Sequence, residues 1–197
     1  MIDDIAETEP LAPFRRWLAA AESREELAEA MSVATASKSG IPSLRMVLLR
    51  GLDERGFVFY TNFESRKSGE LAENPHAALC FHWKSLLRQV RIEGRVSVVA
   101  DAEADSYFHS RARESQVGAW ASDQSRPLAD HATLMRRFEE CTAKFAGEDV
   151  VPRPANWSGY RIAPDRVEFW QELPHRLHDR LVFIREGSGW RRQRLYP

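Results

Sequence analysis

The chain has 197 residues, of which 43% are hydrophobic and 29% charged, an ordinary makeup for a soluble globular protein with one domain's worth of core. A net charge of −1 argues against whole-molecule attraction to nucleic acid, and no apolar run is long enough to span a bilayer. The opening stretch MIDDIAETEP lacks the basic-then-apolar order of a signal peptide, so a cytoplasmic protein is expected.

Residues 1–10 carry no apolar pattern and are expected to be disordered, with a single domain over 11–197. Between 11 and 27, Phe14, Trp17, Leu18 and Leu27 mark a helical face interrupted near Ser23. Residues 31–36 read as a short strand, and Ser39-Gly40-Ile41-Pro42 as a turn. A strand over 43–50 and one over 57–61, joined by Asp53-Glu54-Arg55-Gly56, predict an antiparallel pair. Residues 65–74 predict a helix with a serine start and an Asn-Pro stop. Residues 77–83 predict a buried strand. Over 87–99, Val90 and Ile92 alternate with Gln89, Arg91 and Glu93, as in a half-buried strand. Helices are predicted over 102–113 and 128–145, then strands over 159–162, 166–171 and 181–185, and a last one ending at Leu195. Short turns between strands, with helices inserted rather than alternating, predict a mainly β, α+β architecture: an antiparallel barrel with helical additions.

Common chemical motifs are missing: GxGxxG, GxxxxGK[ST], HExxH and zinc-type spacings do not occur. His175 and His178 have no third ligand in sight, so no metal is expected. Cys80, on a strand, and Cys141, on a helix, read as reduced thiols. Of the 28 basic residues, 24 are arginine, whose planar fork suits phosphate, although codon bias would give the same count. Four stretches set such groups beside strands or helix starts: Arg45 to Arg50 (RMVLLR), Ser65-Arg66-Lys67, Arg88 to Arg91 (RQVR), and Arg111 to Ser115. Tyr107, Arg111 and Ser115 fall at i, i+4, i+8, one face of a helix. A helix start at Ser65 would turn free N–H groups toward an anion. Each stretch alone reads first as solvated surface or a salt-bridge partner; together they shift the balance toward a phosphate-bearing ligand. Trp120, Trp157 and Trp170 read first as core.

In order, RMVLLR, FVFYTNFESRKSGEL, RQVRIEG, YFHSRARESQVGAWASDQS, VPRP and EFWQELPHRLHDR resemble the motifs of the pyridoxamine/pyridoxine 5′-phosphate oxidase family, from about Pro10 to Pro197. RLHDR beside EFWQ is the most specific of them. The resemblance implies a homodimeric split β-barrel with FMN at the subunit interface. It implies that Arg45, Met46, Val47, Leu48, Leu49, Arg50, Tyr60, Thr61, Arg66 and Lys67 hold the FMN phosphate and flank its ring. Gln89, Gln124 and Ser125 would also contact the flavin, as would Trp170 and Arg180 from the other subunit. Arg50, Tyr107, Arg111 and Ser115 would clamp the substrate phosphate, and Arg176 and His178, the catalytic pair, would lie over the pyridine ring. The implied reaction oxidises pyridoxine or pyridoxamine 5′-phosphate, with dioxygen as acceptor and hydrogen peroxide released, and needs neither nucleic acid nor membrane.

The sequence departs from the family pattern in three places. Arg50 stands where the family usually has lysine, which alters the reach of the clamp. The segment before Pro10 is shorter than the family's substrate lid, so a more open substrate site is expected. Residues 25–30 lack the proline usual before Ala30-Met31. Competing readings are a split-barrel oxidase of another reduced ring, such as a dihydrophenazine, a non-catalytic flavin or pyridoxal phosphate binder, and, more remotely, a nucleic-acid module.

Overall fold

The alternation at Val90 and Ile92 turns those side chains into a barrel core that reaches from the first described residues to the last strand. The computed structural model describes residues 2–197. Nine strands form one antiparallel sheet: β1 (Ala30–Ala36), β2 (Pro42–Leu48), β3 (Gly51–Asp53), β4 (Gly56–Asn62), β5 (His76–Trp83), β6 (Arg88–Val98), β7 (Trp157–Gln171), β8 (Asp179–Glu186) and β9 (Gly189–Arg194). The order is β2-β1-β5-β6-β7-β4-β3, with β8 paired to the far end of β7 and β9 to β8. Five α-helices lie among the described residues: α1 (Leu11–Glu22), α2 (Arg66–Glu73), α3 (Asp101–Ser110), α4 (Arg113–Ala121) and α5 (His131–Lys144).

The buried face of α1 closes the barrel. Phe14 meets Phe57 and Phe81 edge-on at 4.9 and 5.0 Å, and Trp17 meets Phe169 at 5.1 Å. Such aromatic pairs add to the area they bury, which places this plug among the main sources of stability. A second core of Phe108, Val117, Phe145, Val151 and Trp157 seats the later helices against the start of β7.

Several predicted boundaries move. Residues 2–10 are not a loose end: Ile2 and Ile5 are buried in the main core, and the Glu9 carboxylate accepts the N–H groups of Leu11 and Ala12 at the start of α1. Met1 lies outside the described residues. The predicted strand 43–50 does not pair with 57–61. It ends at Leu48, and its register is with β1; Leu49 N–H then bonds to Glu29, whereas Arg50 N–H bonds to Val58 of β4. The chain therefore switches partners between two residues, from the segment that leads into β1 to β4. The predicted helix 102–113 breaks after Ser110, where Arg111 and Ala112 are extended, and α4 begins afresh. The Gln116 side chain donates to the Arg111 carbonyl at 2.7 Å, satisfying a group the helix no longer serves. The predicted strands 159–162 and 166–171 are one, β7, with a bulge opposite Glu93 and Gly94.

Candidate functional site

A cleft of about 1150 Å³ opens beside β2, β4, α2 and the α3–α4 corner. It gathers Arg45, Met46, Val47, Leu48, Arg50, Tyr60, Thr61, Arg66, Lys67, Tyr107, Arg111, Ser115, Gln124 and Ser125, so fourteen of the sequence-selected residues share one wall system. Leu49 is the exception in its run. Its side chain alternates inward to the core and lines no part of the cleft.

At the start of α2, Lys67 is buried and donates to Thr61 Oγ1 at 2.7 Å, Ser65 Oγ at 2.9 Å and Gln124 Oε1 at 2.7 Å. All three partners are neutral, and burial, with Arg45 nearby, pushes the Lys67 ammonium down to about 8. Beside it lies Glu70, which the sequence reading did not select. Its Oε1 accepts from Arg66 Nε at 2.9 Å, and its Oε2 accepts from Thr35 and Ser43 and faces Arg45 at 3.6 Å. Burial would raise this carboxyl, but hydrogen bonds from Ser43, Thr35 and Arg66 outweigh it and hold it at about 2. The i, i+4 spacing of Arg66 and Glu70 was the signal available for it. Glu70 thus orients two arginines with its lone pairs already engaged.

A second cationic corner forms where α3 ends. The Arg111 guanidinium lies over Trp157 at 4.9 Å and Phe108 at 5.6 Å, and its buried Nη1 has no hydrogen-bond partner. Other well-covered arginines face acids: Arg161 meets Asp53 and Glu103, and Arg153 meets Asp101 and Asp105. Arg111 is held by rings instead, with no acid paired to it among the described residues. Burial lowers its pKa; the neighbouring Tyr107 hydroxyl works against this, and Arg50 adds to it. Arg50 reaches Glu29 only at 3.5 Å. The helical face predicted for Tyr107, Arg111 and Ser115 does not exist, yet the break brings all three to the cleft and sets the start of α4 beside them.

Between the two corners stands an aromatic stack. Tyr60 lies 4.0 Å from Tyr107 and 5.4 Å from Trp157, nearly parallel to both, and burial pushes its hydroxyl up to about 12. A Cβ on Gly159 would stand 2.8 Å from the Tyr60 ring and 3.0 Å from Val99. Gly159→Ala is therefore expected to displace Tyr60 and cost about 1–3 kcal/mol of stability, read by chemical denaturation. An unchanged midpoint would show that the stack has slack.

Gln89, Trp170, Arg176, His178 and Arg180 lie outside this cleft. Gln89 pairs with Trp170, and Trp170 with Arg180, in a row across β6, β7 and β8. The His178 ring is 4.7 Å from Trp170, and its Nδ1 accepts from Leu173 N–H at 3.3 Å. His175 and Arg176 both have positive φ, a turn that non-glycine residues adopt at a cost. Buried Glu168 joins Arg91, Arg166 and Arg180 beneath the row; it opens the EFWQ motif, but nothing in its spacing assigns it a role.

Fold and cleft together define a split-barrel protein with a deep basic binding cleft. Two family models match the sequence: pyridoxamine 5′-phosphate oxidase over residues 19–145, and the pyridoxine 5′-phosphate oxidase C-terminal dimerisation region over residues 157–197. The chain belongs to the pyridoxamine 5′-phosphate oxidase family and is an oxidoreductase. Relatives named pyridoxine/pyridoxamine 5′-phosphate oxidase include that of Sphingopyxis alaskensis, 59% identical over 96% of this chain and 88% of its own. That of Rhodospirillum rubrum is 54% identical over 100% of both. Among solved structures, PhzG from Burkholderia lata 383, in complex with tetrahydrophenazine-1-carboxylic acid, is similar with a TM-score of 0.92 at 33% identity, covering 98% of this chain and 95% of that chain.

Proposed function

We propose that the protein oxidises pyridoxine 5′-phosphate and pyridoxamine 5′-phosphate to pyridoxal 5′-phosphate, with FMN as cofactor and dioxygen as electron acceptor. Hydrogen peroxide is released and, from the amine, ammonia; the reaction serves the biosynthesis and salvage of vitamin B6. The observation that carries this reading is the pair of separate cationic corners in one cleft, each at a helix start and separated by flat aromatic rings. One phosphorylated ligand needs one such corner; a phosphorylated cofactor and a phosphorylated substrate need two.

The residues present fit FMN. Lys67 is a buried cation with only neutral partners, and the first N–H groups of α2 have no partner within the helix. Arg45, Arg66 and Lys67 would take the phosphate, with Thr61, Gln124 and Ser125 beside it. When bound, FMN supplies the acceptor for the hydride leaving the substrate carbon. Arg111, Arg50, Tyr107 and Ser115 would hold the substrate's phosphate, and this grip remote from the reacting carbon orients it. Arg176 would position the substrate and stabilise charge, while His178 would orient the ring hydroxyl or exchange a proton.

The second group of residues reaches the ligands only from a partner subunit. A strand advances about 3.3 Å per residue, so Trp157 in the cleft and Trp170 stand roughly 40 Å apart along β7. Within one chain the Trp170 row lines no part of the cleft, whereas a two-fold homodimer would bring the partner's row to it. Exposed Leu44 and Met46 on β2 support such a contact.

Oxidation of a reduced phenazine is the second reading, favoured by the likeness to PhzG. Oxygen uptake by the yellow protein separates the two. Turnover is expected with pyridoxine 5′-phosphate and not with a reduced phenazine carboxylate. Colourless protein that FMN cannot reconstitute sinks both readings, and uptake with the phenazine alone sinks the first.

A further inference from the structure

Three arginines from adjacent strands converge on the carboxylate of Glu168, buried in β7. Arg91 of β6 lies at 2.6 Å, Arg166 of β7 at 3.2 Å and Arg180 of β8 at 2.8 Å. Burial alone would raise this carboxyl; hydrogen bonds from Arg180 and Arg91 outweigh it and keep it below the usual range. The group is therefore a fixed anion.

Arg180 is held from two sides. Its Nε donates to Glu168 Oε1 at 2.8 Å, and its Nη1 donates to the Tyr196 carbonyl at 2.8 Å. The same tail returns a bond to the Arg180 main chain, from Leu195 N–H to the Arg180 carbonyl at 3.1 Å. Nη2 makes no hydrogen bond to the described residues. A long side chain fixed before the ligand arrives loses less freedom on binding it.

We propose that Glu168 is a positioning residue for Arg180: with the Tyr196 carbonyl it secures two guanidinium nitrogens and presents Nη2 to the cofactor. The proposal rests on the reading that Arg180 faces FMN in the dimer. It assigns a role to a buried acid and to the C-terminal tail, both outside the cleft itself.

FMN release from the holoenzyme on dilution, followed by recovery of flavin fluorescence, tests it. Melting in excess FMN serves as the folding control. Arg180→Lys is expected to weaken FMN retention about ten-fold. Glu168→Gln should weaken it by a similar factor, and the double variant no more than Arg180→Lys alone, because both act through one guanidinium. Leu195→Pro removes the tail N–H while sparing the buried carboxylate, and should give a smaller loss in the same direction. It also carries the test if Glu168→Gln does not fold. Losses that multiply in the double variant overturn the proposal, as does wild-type retention in Leu195→Pro together with Glu168→Gln, or in Leu195→Pro alone where Glu168→Gln does not fold. Wild-type retention in Arg180→Lys instead overturns the assignment of Arg180 to the flavin, and the proposal with it.

Discussion

Replacing Arg111 by alanine is expected to raise the KM for pyridoxine 5′-phosphate by about 10- to 100-fold, the range that loss of a charged hydrogen bond predicts, while FMN stays bound. The reason lies in what holds this arginine. Its neighbours are the faces of Trp157 and Phe108, and its buried Nη1 has no partner. A guanidinium already paired with an acid would gain little from a phosphate, since one ion pair would replace another. Arg111 has no acid to give up, so most of the ligand's charge should be felt as binding energy. Arg111→Lys should recover part of the loss, because the charge returns without the planar fork. Steady-state kinetics with pyridoxine 5′-phosphate reads the effect, and flavin absorbance checks the cofactor. An unchanged KM, or loss of the flavin, would remove Arg111 from the substrate clamp.

Lys67→Met should strip the protein of most of its FMN, and should also flatten a pH dependence of stability. In the folded protein without FMN, Lys67 loses its proton near pH 8, against an ordinary value of 10.5. Below pH 8 the group is charged whether the chain is folded or unfolded, and the folded state bears the full cost of burying it. From about pH 8 to 10.5 the folded state gives up a proton that the unfolded state keeps, so stability rises with pH. Bound phosphate reverses this preference by favouring the charged ammonium, so FMN should bind best below pH 8 and more weakly above it. Thermal melts of FMN-free wild type and Lys67→Met across pH 7 to about 10.5 supply the check, since subtracting one curve from the other cancels the remaining titrating groups. A difference that does not change with pH would mean that Lys67 binds its proton equally in the folded and the unfolded chain, with no burial penalty on its charge.

The barrel could be read from sequence because its strands carry their own signals. Val90 and Ile92 alternate with polar neighbours, and Asp53 to Gly56 spells a turn. The start of α2 was legible for a similar reason, through Ser65 and the two cations after it. What escaped depends on groups brought together from far along the chain. No glycine or proline marks the break at Arg111, whose carbonyl is satisfied by the Gln116 side chain. Periodicity therefore ran straight through it and put Tyr107, Arg111 and Ser115 on a helical face that does not form. The gap between the strands predicted over 159–162 and 166–171 is a bulged stretch of continuous strand. Ile2 and Ile5 are two isolated apolar residues in an acidic stretch, and only the core they enter gives them meaning. Glu168 is paired by arginines from three strands, a convergence no spacing records.

The length of β7 carries a genetic consequence. Because Trp157 and Trp170 lie at opposite ends of one strand, and the Trp170 row lines no part of its own chain's cleft, each chain would lend its cleft to one active centre and its Trp170 row to the other. Two inactive alleles, one damaged at Lys67 and one at Arg180, should then rescue each other when co-expressed. In a mixed pair, one centre collects both lesions and the other collects neither. Two alleles both damaged in the cleft should show no such rescue.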